Sequence, residues 1–101
     1  MARVLVEYRA IVHGPTGQAF RARACGRPAV DGRWDGWVEF IDVVSGRVLR
    51  SPRETVQPNR VDVEYWASGL GAVYLEGCLH RALDPRSGTS SHRSPGSDRG
   101  P

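Results

Sequence analysis

The sequence Arg53-Glu-Thr-Val-Gln-Pro-Asn-Arg60 runs into Val61-Asp-Val-Glu-Tyr-Trp-Ala-Ser-Gly-Leu70 and, after Gly71, into Ala72-Val-Tyr-Leu-Glu-Gly-Cys-Leu-His-Arg-Ala-Leu83. The hydrophobic period of the chain changes within this stretch. From Leu75 onward, apolar residues recur with i, i+3, i+4, i+7 and i+8 spacing, which places them along one side of a helix. Because a proline follows Asp84, we predict a helix over residues 72–83.

The residues just before this helix allow two interpretations. Val61, Val63 and Tyr65 alternate with Trp66 and two acidic residues, which predicts a final strand, although a helical start is also open. In a strand, the adjacent Tyr65 and Trp66 would point to opposite sides. Residues 51–59 contain two prolines that cannot donate to a sheet, so we predict a loop or edge crossing there.

Upstream, the sequence favours strands. Residues 3–12 place five side chains on one face at period two: Val4, Val6, Tyr8, Ala10 and Val12. Residues 18–25 put Phe20, Ala22 and Ala24 on one side and arginines on the other. Residues 26–36 contain two Asp-Gly pairs, which favour turns, and are predicted to form a loop that holds Trp34.

The strongest strand pattern is Trp37-Val-Glu-Phe-Ile-Asp-Val-Val44, and it predicts a hairpin that returns through Ser45-Gly46 to residue 50. A two-residue turn would pair Val43 with Val48. One more residue in the turn would set Asp42 opposite Arg50, and both registers stay open.

These segments predict the fold class. We expect a mainly β (α+β) domain over residues 1–83, with a small, strongly curved antiparallel sheet or partly open barrel and one C-terminal helix. Residues 84–101 have no aliphatic or aromatic side chain, so we expect a disordered tail.

Composition argues against several function classes. All 14 basic residues are arginines, they are dispersed along the chain, and the net charge is only +3, which is weak for a nucleic-acid-binding protein. Two cysteines supply neither a disulfide framework nor four zinc ligands. The N-terminus is not a signal peptide and no apolar run could span a membrane, so a cytoplasmic location without membrane contact is expected.

No catalytic set is visible, and we expect no enzymatic activity, cofactor or metal. Cys78 and His80 lie two residues apart and face different ways on a helix. Gly69-Leu-Gly-Ala-Val-Tyr74 lacks the third glycine of a dinucleotide-binding loop. Excess tryptophan and a polar, proline-bounded loop instead favour a protein-binding or adaptor module. Its candidate contact surface comprises Trp34, Glu54, Gln57, Asn59, Arg60 and Trp66, and a homo-oligomer is also open.

An alternative is a small nucleic-acid-binding barrel. Arginines on neighbouring predicted strands could form one stripe for phosphates and bases. The stripe would contain Arg9, Arg21, Arg23, Arg47 and Arg50.

Three strings in the sequence also resemble a known group. Arg-Glu-Thr-x-Gln-Pro-Asn-Arg at 53–60, Tyr-Trp-Ala-x-Gly-Leu at 65–70 and Tyr-Leu-Glu-Gly at 74–77 are similar to the signature of a group of short bacterial proteins of unknown function. The resemblance covers roughly residues 20–83. It implies a bacterial, cytoplasmic protein and brings no activity with it.

Overall fold

The computed structural model describes residues 1–84. In chain order the elements are β1 Arg3–His13, β2 Ala19–Pro28, a short 3-10 turn at Val30–Gly32, β3 Trp34–Asp42, β4 Val48–Arg50, β5 Thr55–Gln57, α1 Arg60–Ser68 and α2 Ala72–Leu83. The tail predicted at 84–101 lies outside the described residues, apart from Asp84 at the end of α2.

All five strands belong to one antiparallel sheet with the order β1-β2-β3-β4. β5 also pairs with β3, opposite residues 34–36, while β4 lies opposite residues 39–41. Within the described residues β1 pairs with β2 alone, so the sheet stays open and does not close into a barrel. The predicted α+β class with a small antiparallel sheet is confirmed.

Both helices pack on the same face of the sheet, which we call the helix-packed face. α2 buries Leu75, Cys78, Leu79 and Ala82, as the spacing of these residues predicted. They join strand residues Val12, Phe20, Ala22, Val38 and Phe40 in one core cluster. The buried alanines on β2 have small side chains, which leaves room for the helices to pack closely on the sheet.

The strand predicted over residues 61–66 is wrong, because these residues belong to α1. Asn59 caps the helix, and its side-chain oxygen accepts a hydrogen bond from the Asp62 amide at 2.9 Å. Val63 and Ala67 are buried, four residues apart on one side of the helix. The alternation of Val61 and Val63 with acidic residues therefore coincides with a helical pattern and does not reflect a strand.

β1 does not keep one regular face. Its pairing with β2 shifts between Val4 and Val6 and again between Glu7 and Ile11. The first shift places Val4 opposite Cys25 and Val6 opposite Ala24, so the prediction that Val4 and Val6 share a face is wrong. Within the second shift, the Tyr8 hydroxyl donates to the Ala67 carbonyl and ties β1 to α1. Burial raises the pKa of Tyr8 to about 12.

The loop predicted over residues 26–36 is shorter than expected. β2 continues to Pro28 and β3 already begins at Trp34, so only the first Asp-Gly pair forms a turn, with Asp31 at a φ of 65°. The second pair lies in β3. There α1 approaches so closely that a Cβ on Gly36 would lie 2.8 Å from Trp66 Cζ3, which explains a glycine inside a strand.

Neither predicted register of the β3–β4 hairpin is correct. Ile41 pairs with Val48 and Glu39 with Arg50, because the turn is wider than Ser45-Gly46 alone. The Asp42 carboxylate builds this turn by accepting hydrogen bonds from the amides of Val44 at 2.8 Å and Ser45 at 3.1 Å. These bonds lower the pKa of Asp42.

Candidate contact surface

Glu54, the first residue of the predicted contact surface, is engaged by α2. Its carboxylate accepts hydrogen bonds from Arg81 at 2.9 and 3.0 Å and from the Tyr74 hydroxyl at 3.0 Å. Only 6% of the Glu54 side chain is exposed. Burial and the bond to Glu54 together raise the pKa of Tyr74 to about 12. Glu54 therefore fastens the segment before β5 to the second helix.

The other polar residues of this loop also have partners within the chain. Asn59 caps α1, and Gln57 Nε2 donates to Thr55 Oγ1 at 2.7 Å. Arg60 forms an ion pair with Glu64 at 2.9 Å, one helical turn away, and its guanidinium lies 5.8 Å from the centre of the Trp34 ring. These contacts give each residue a structural role, and a role in partner binding stays a prediction.

Trp34 and Trp66 are both half-buried on the helix-packed side. Trp66 packs against the core cluster. Its ring lies over Gly36, and the Trp34 ring lies near Gly26. Both rings thus fill the space between α1 and the strands that precede it.

The opposite side of the sheet, on which neither described helix packs, is less enclosed. We call it the helix-free face. β2 and β3 contribute the side chains that alternate with the helix-packed ones: Arg21, Arg23, Cys25, Arg27, Asp35, Trp37, Glu39 and Ile41. Their paired neighbours on the other strands add Val4, Glu7, Ile11, Val48, Arg50 and Val56.

Charges of alternating sign cross the middle of this face. The strand registers align Glu7 with Arg23, Arg23 with Glu39, and Glu39 with Arg50, and we call these four residues the charge row. Arg23 and Glu39 form an ion pair at 2.8 Å. Opposite charges on paired strands stabilise a sheet, so the row supports its own strand alignment.

Glu39 also receives a hydrogen bond from Trp37 Nε1 at 3.1 Å. Burial alone would raise the pKa of Glu39, but the hydrogen bonds from Trp37 and Arg23 outweigh it and lower the pKa. The hydrogen bond that Arg23 donates to Glu39 also raises the pKa of Arg23. Both groups are therefore held in their charged forms.

Trp37 is the largest side chain of the helix-free face, yet only 1% of it is exposed. The Arg50 guanidinium lies 4.0 Å and the Arg27 guanidinium 5.7 Å from the centre of its ring. Cations over the ring face attract it electrostatically. Arginine side chains, not a helix, thus shield this tryptophan.

Aliphatic side chains on both sides of the charge row remain open to solvent. Val48 is 51% exposed, Val4 48%, Val56 40% and Ile11 39%, and Ile41 between the strands is half-buried. Beside them a hollow of about 270 Å³ is lined by Glu7, Tyr8, Arg21, Ala22, Arg23 and Ile41. Protein contact surfaces combine exposed apolar side chains with charged ones in this way.

The structure brings together part of the predicted arginine stripe. Arg21, Arg23 and Arg50 share the helix-free face, whereas Arg47 lies in the turn before β4 beside Asp42 and Leu49. Arg9 lies in the irregular part of β1 between the paired residues Glu7 and Ile11.

Several residues of the helix-free face were not predicted as site residues from the sequence. Arg27 was missed because residues 26–36 were interpreted as a loop. Trp37, Glu39 and Ile41 alternate within the strongest strand pattern and could have been grouped on one face from their spacing.

The described residues show little sign of a reactive centre. Burial raises the pKa of both Cys25 and Cys78 to about 12, which keeps the thiols protonated and poorly nucleophilic. No group of three or more His, Cys, Asp or Glu among residues 1–84 is arranged to hold a metal ion. Within the same range, neither helix has the length and apolar character needed to span a bilayer.

The resemblance to short bacterial proteins stays a prediction, because comparison of this chain with protein-family models, curated proteins and solved structures finds no match.

Proposed function

We propose that this protein is a non-enzymatic protein-binding module and that the helix-free face is its contact surface. One observation carries the proposal: solvent-exposed Val4, Ile11, Val48 and Val56 surround a row of paired charges on a face that no described helix covers. Protein interfaces combine apolar contact area with charges that fix the orientation of the partner. The resemblance adds a bacterial cytoplasmic assembly as the setting.

The internal contacts of the 53–60 loop support this choice of surface. The Glu54 side chain accepts hydrogen bonds from α2, and the Asn59 side chain accepts one from the first turn of α1. A partner that used them would have to replace these hydrogen bonds, which costs free energy. The aliphatic side chains of the helix-free face have no such contacts to give up.

The buried thiols also support a non-enzymatic role. Cys25 lies on the helix-free face beside Trp37, but its raised pKa leaves it without a thiolate near neutral pH. A thiol in this state packs as a small apolar side chain.

Site-specific photo-crosslinking tests the surface. A benzoylphenylalanine at position 48 places the crosslinker on the helix-free face, and the same group at position 73 provides a control, because Val73 is 83% exposed on α2. We expect protein crosslinks from position 48 but not from position 73 in extracts of the source cells. Equal crosslinking from both positions, or none from position 48, would contradict the proposal.

A second candidate function is binding of single-stranded nucleic acid. The observation in its favour is that Arg21, Arg27 and Arg50 share a face with Trp37. Arginine contacts phosphates and an aromatic ring can stack on a base. Arg50 would first have to leave the Trp37 ring, and Glu7, Asp35 and Glu39 on the same face oppose a polyanion.

A labelled oligothymidylate distinguishes this candidate. Nucleic-acid binding predicts an affinity that falls by at least tenfold between about 50 and 200 mM salt, because phosphate contacts release counterions. Arg21→Ala should weaken it further, whereas Arg33→Ala, in the exposed turn before β3, should not. An affinity independent of salt, or no binding at low salt, would remove this candidate.

A further inference from the structure

The charge row is complementary to its own reverse. Read from β1 to β4, the row is acidic, basic, acidic and basic: Glu7, Arg23, Glu39 and Arg50. Reversing this order gives the opposite sign at every position. A second identical row that runs in the reverse direction therefore places an opposite charge against each member.

A two-fold axis parallel to the strands, between β2 and β3, produces this reversal when two copies meet face to face. Glu7 then faces Arg50 of the second copy, and Arg23 faces Glu39. The symmetry repeats each contact, as in any isologous interface. An axis parallel to the charge row instead sets like charges against each other, so the pattern selects one of the two arrangements.

The neighbouring positions agree with the same axis. Arg27 and Asp35 are paired across β2 and β3, so reversal sets Arg27 of one copy against Asp35 of the other. On the other side of the charge row, Ile11 and Val48 occupy the outer strands of one line of paired residues. Reversal brings these two exposed aliphatic side chains together, and their burial favours association.

The size of the face is sufficient for a dimer. Nine residues of β3 at about 3.3 Å each, across four columns of strands about 4.8 Å apart, set an upper bound of roughly 600 Å² on the face, because β4 and β5 contribute only three residues each. Two such faces bury up to roughly 1,200 Å², which lies at the lower end of the range of specific protein interfaces.

Two other arrangements fit less well: residues 85–101 covering the face, and a dimer formed through the edge of β1. Residues 85–101 contain none of the residues Ala, Val, Ile, Leu, Met, Phe, Trp or Tyr, so this segment offers little apolar surface to cover Val48 or Ile11. Pairing through the free edge of β1 is opposed by the two shifts in its register, because irregular edge strands resist addition of another strand.

We propose that the partner of the helix-free face is a second copy of this chain, related by a two-fold axis parallel to the strands. This inference rests on the proposed function and names the partner for it. The charge row sets the alignment of the two copies, while the aliphatic side chains on either side provide the buried area.

Charge reversal at the two ends of the row tests the arrangement. Glu7→Arg sets two arginines against each other at both ends of a homodimer, and Arg50→Glu sets two glutamates there. We expect each variant to raise the dimer dissociation constant by about tenfold or more. An equimolar mixture of the two variants should recover the dimer, because each copy then meets opposite charges at both ends.

Sedimentation velocity over a range of concentrations measures these states in the full chain. Glu76→Arg and Arg33→Glu, both at exposed positions away from this face, are matched controls that should keep the wild-type dimer. Recovery in the mixture also shows that both variants are folded. A wild-type monomer at all concentrations, unaffected single variants, or a mixture that stays monomeric would each overturn the inference.

The two proposals fail in different ways. A monomeric wild-type chain whose position-48 crosslinker captures a different protein would overturn the second copy as partner and keep the helix-free face as the contact surface. Loss of crosslinking at position 48 would overturn the face itself.

Discussion

At the scale of single residues, Glu39 shows how one carboxylate joins several parts of the helix-free face. It accepts hydrogen bonds from Arg23 and from the Trp37 indole, and Arg50 lies opposite it on β4. The hydrogen bonds from Trp37 and Arg23 favour the ionised carboxylate. The fold therefore lowers the pKa of Glu39 against the effect of its burial.

This shift predicts a pH dependence. A carboxyl whose pKa is lower in the folded state adds stability above its unfolded pKa of about 4.3, and this stability is lost as the pH falls through the folded value. We expect the Glu39→Gln variant to be less stable than the wild type at about pH 6. On acidification to about pH 3, the unfolding free energy of the variant should fall by less than that of the wild type. Urea unfolding at both values measures this, and parallel losses in the two proteins would contradict it.

Glu54 gives a second prediction at this scale. Glu54→Ala removes the acceptor for Arg81 and Tyr74. Because the carboxylate is 6% exposed but Arg81 is 45% exposed, we expect a loss of about 1–2 kcal/mol in unfolding free energy. Glu76→Ala, at an exposed position of α2, should change it by less than about 0.5 kcal/mol.

The same variant separates the two possible contact surfaces. If the helix-free face is the contact surface, a folded Glu54→Ala protein keeps the crosslinks from position 48. If those crosslinks disappear while the protein stays folded, the contact surface includes the 53–60 loop, as the sequence analysis predicted.

At the scale of elements, the first helix is where the sequence was misread. Asn59 is a strong helix-capping residue, and Val63 and Ala67 have helical spacing, but Val61, Val63 and Tyr65 also alternate. A short segment can satisfy both periods, so the pattern alone does not decide between them. In the structure Val63 and Trp66 of α1 pack over Gly36 of β3, and local sequence does not report such a tertiary contact.

The contact at Gly36 is testable. A Cβ there would lie 2.8 Å from Trp66, 2.9 Å from Thr55 and 3.1 Å from Val63. We therefore expect Gly36→Ala to cost about 1–3 kcal/mol through overpacking between β3 and α1. Gly69→Ala is the matched control, because its nearest neighbours lie at 3.8 Å. Thermal unfolding of both variants measures the difference, and equal stability would show that α1 sits farther from the sheet.

At the scale of the whole molecule, the sequence predicted the α+β class, the main strands and α2, because each depends on local periodicity. It did not predict the helix-free face as a site. That face depends on which residues of β1, β2, β3 and β4 lie side by side, and a bulge near Val4 or a carboxylate-built turn at Asp42 shifts the alignment by a residue or more. Local patterns do not report such shifts.

The position of α2 at the end of the described chain also affects how the protein is made. A ribosome delivers all five strands before the segment that covers Phe20, Val38 and Phe40. The part of the sheet under α2 therefore stays uncovered until Leu83 leaves the exit tunnel, and during this interval its apolar side chains can aggregate or bind chaperones.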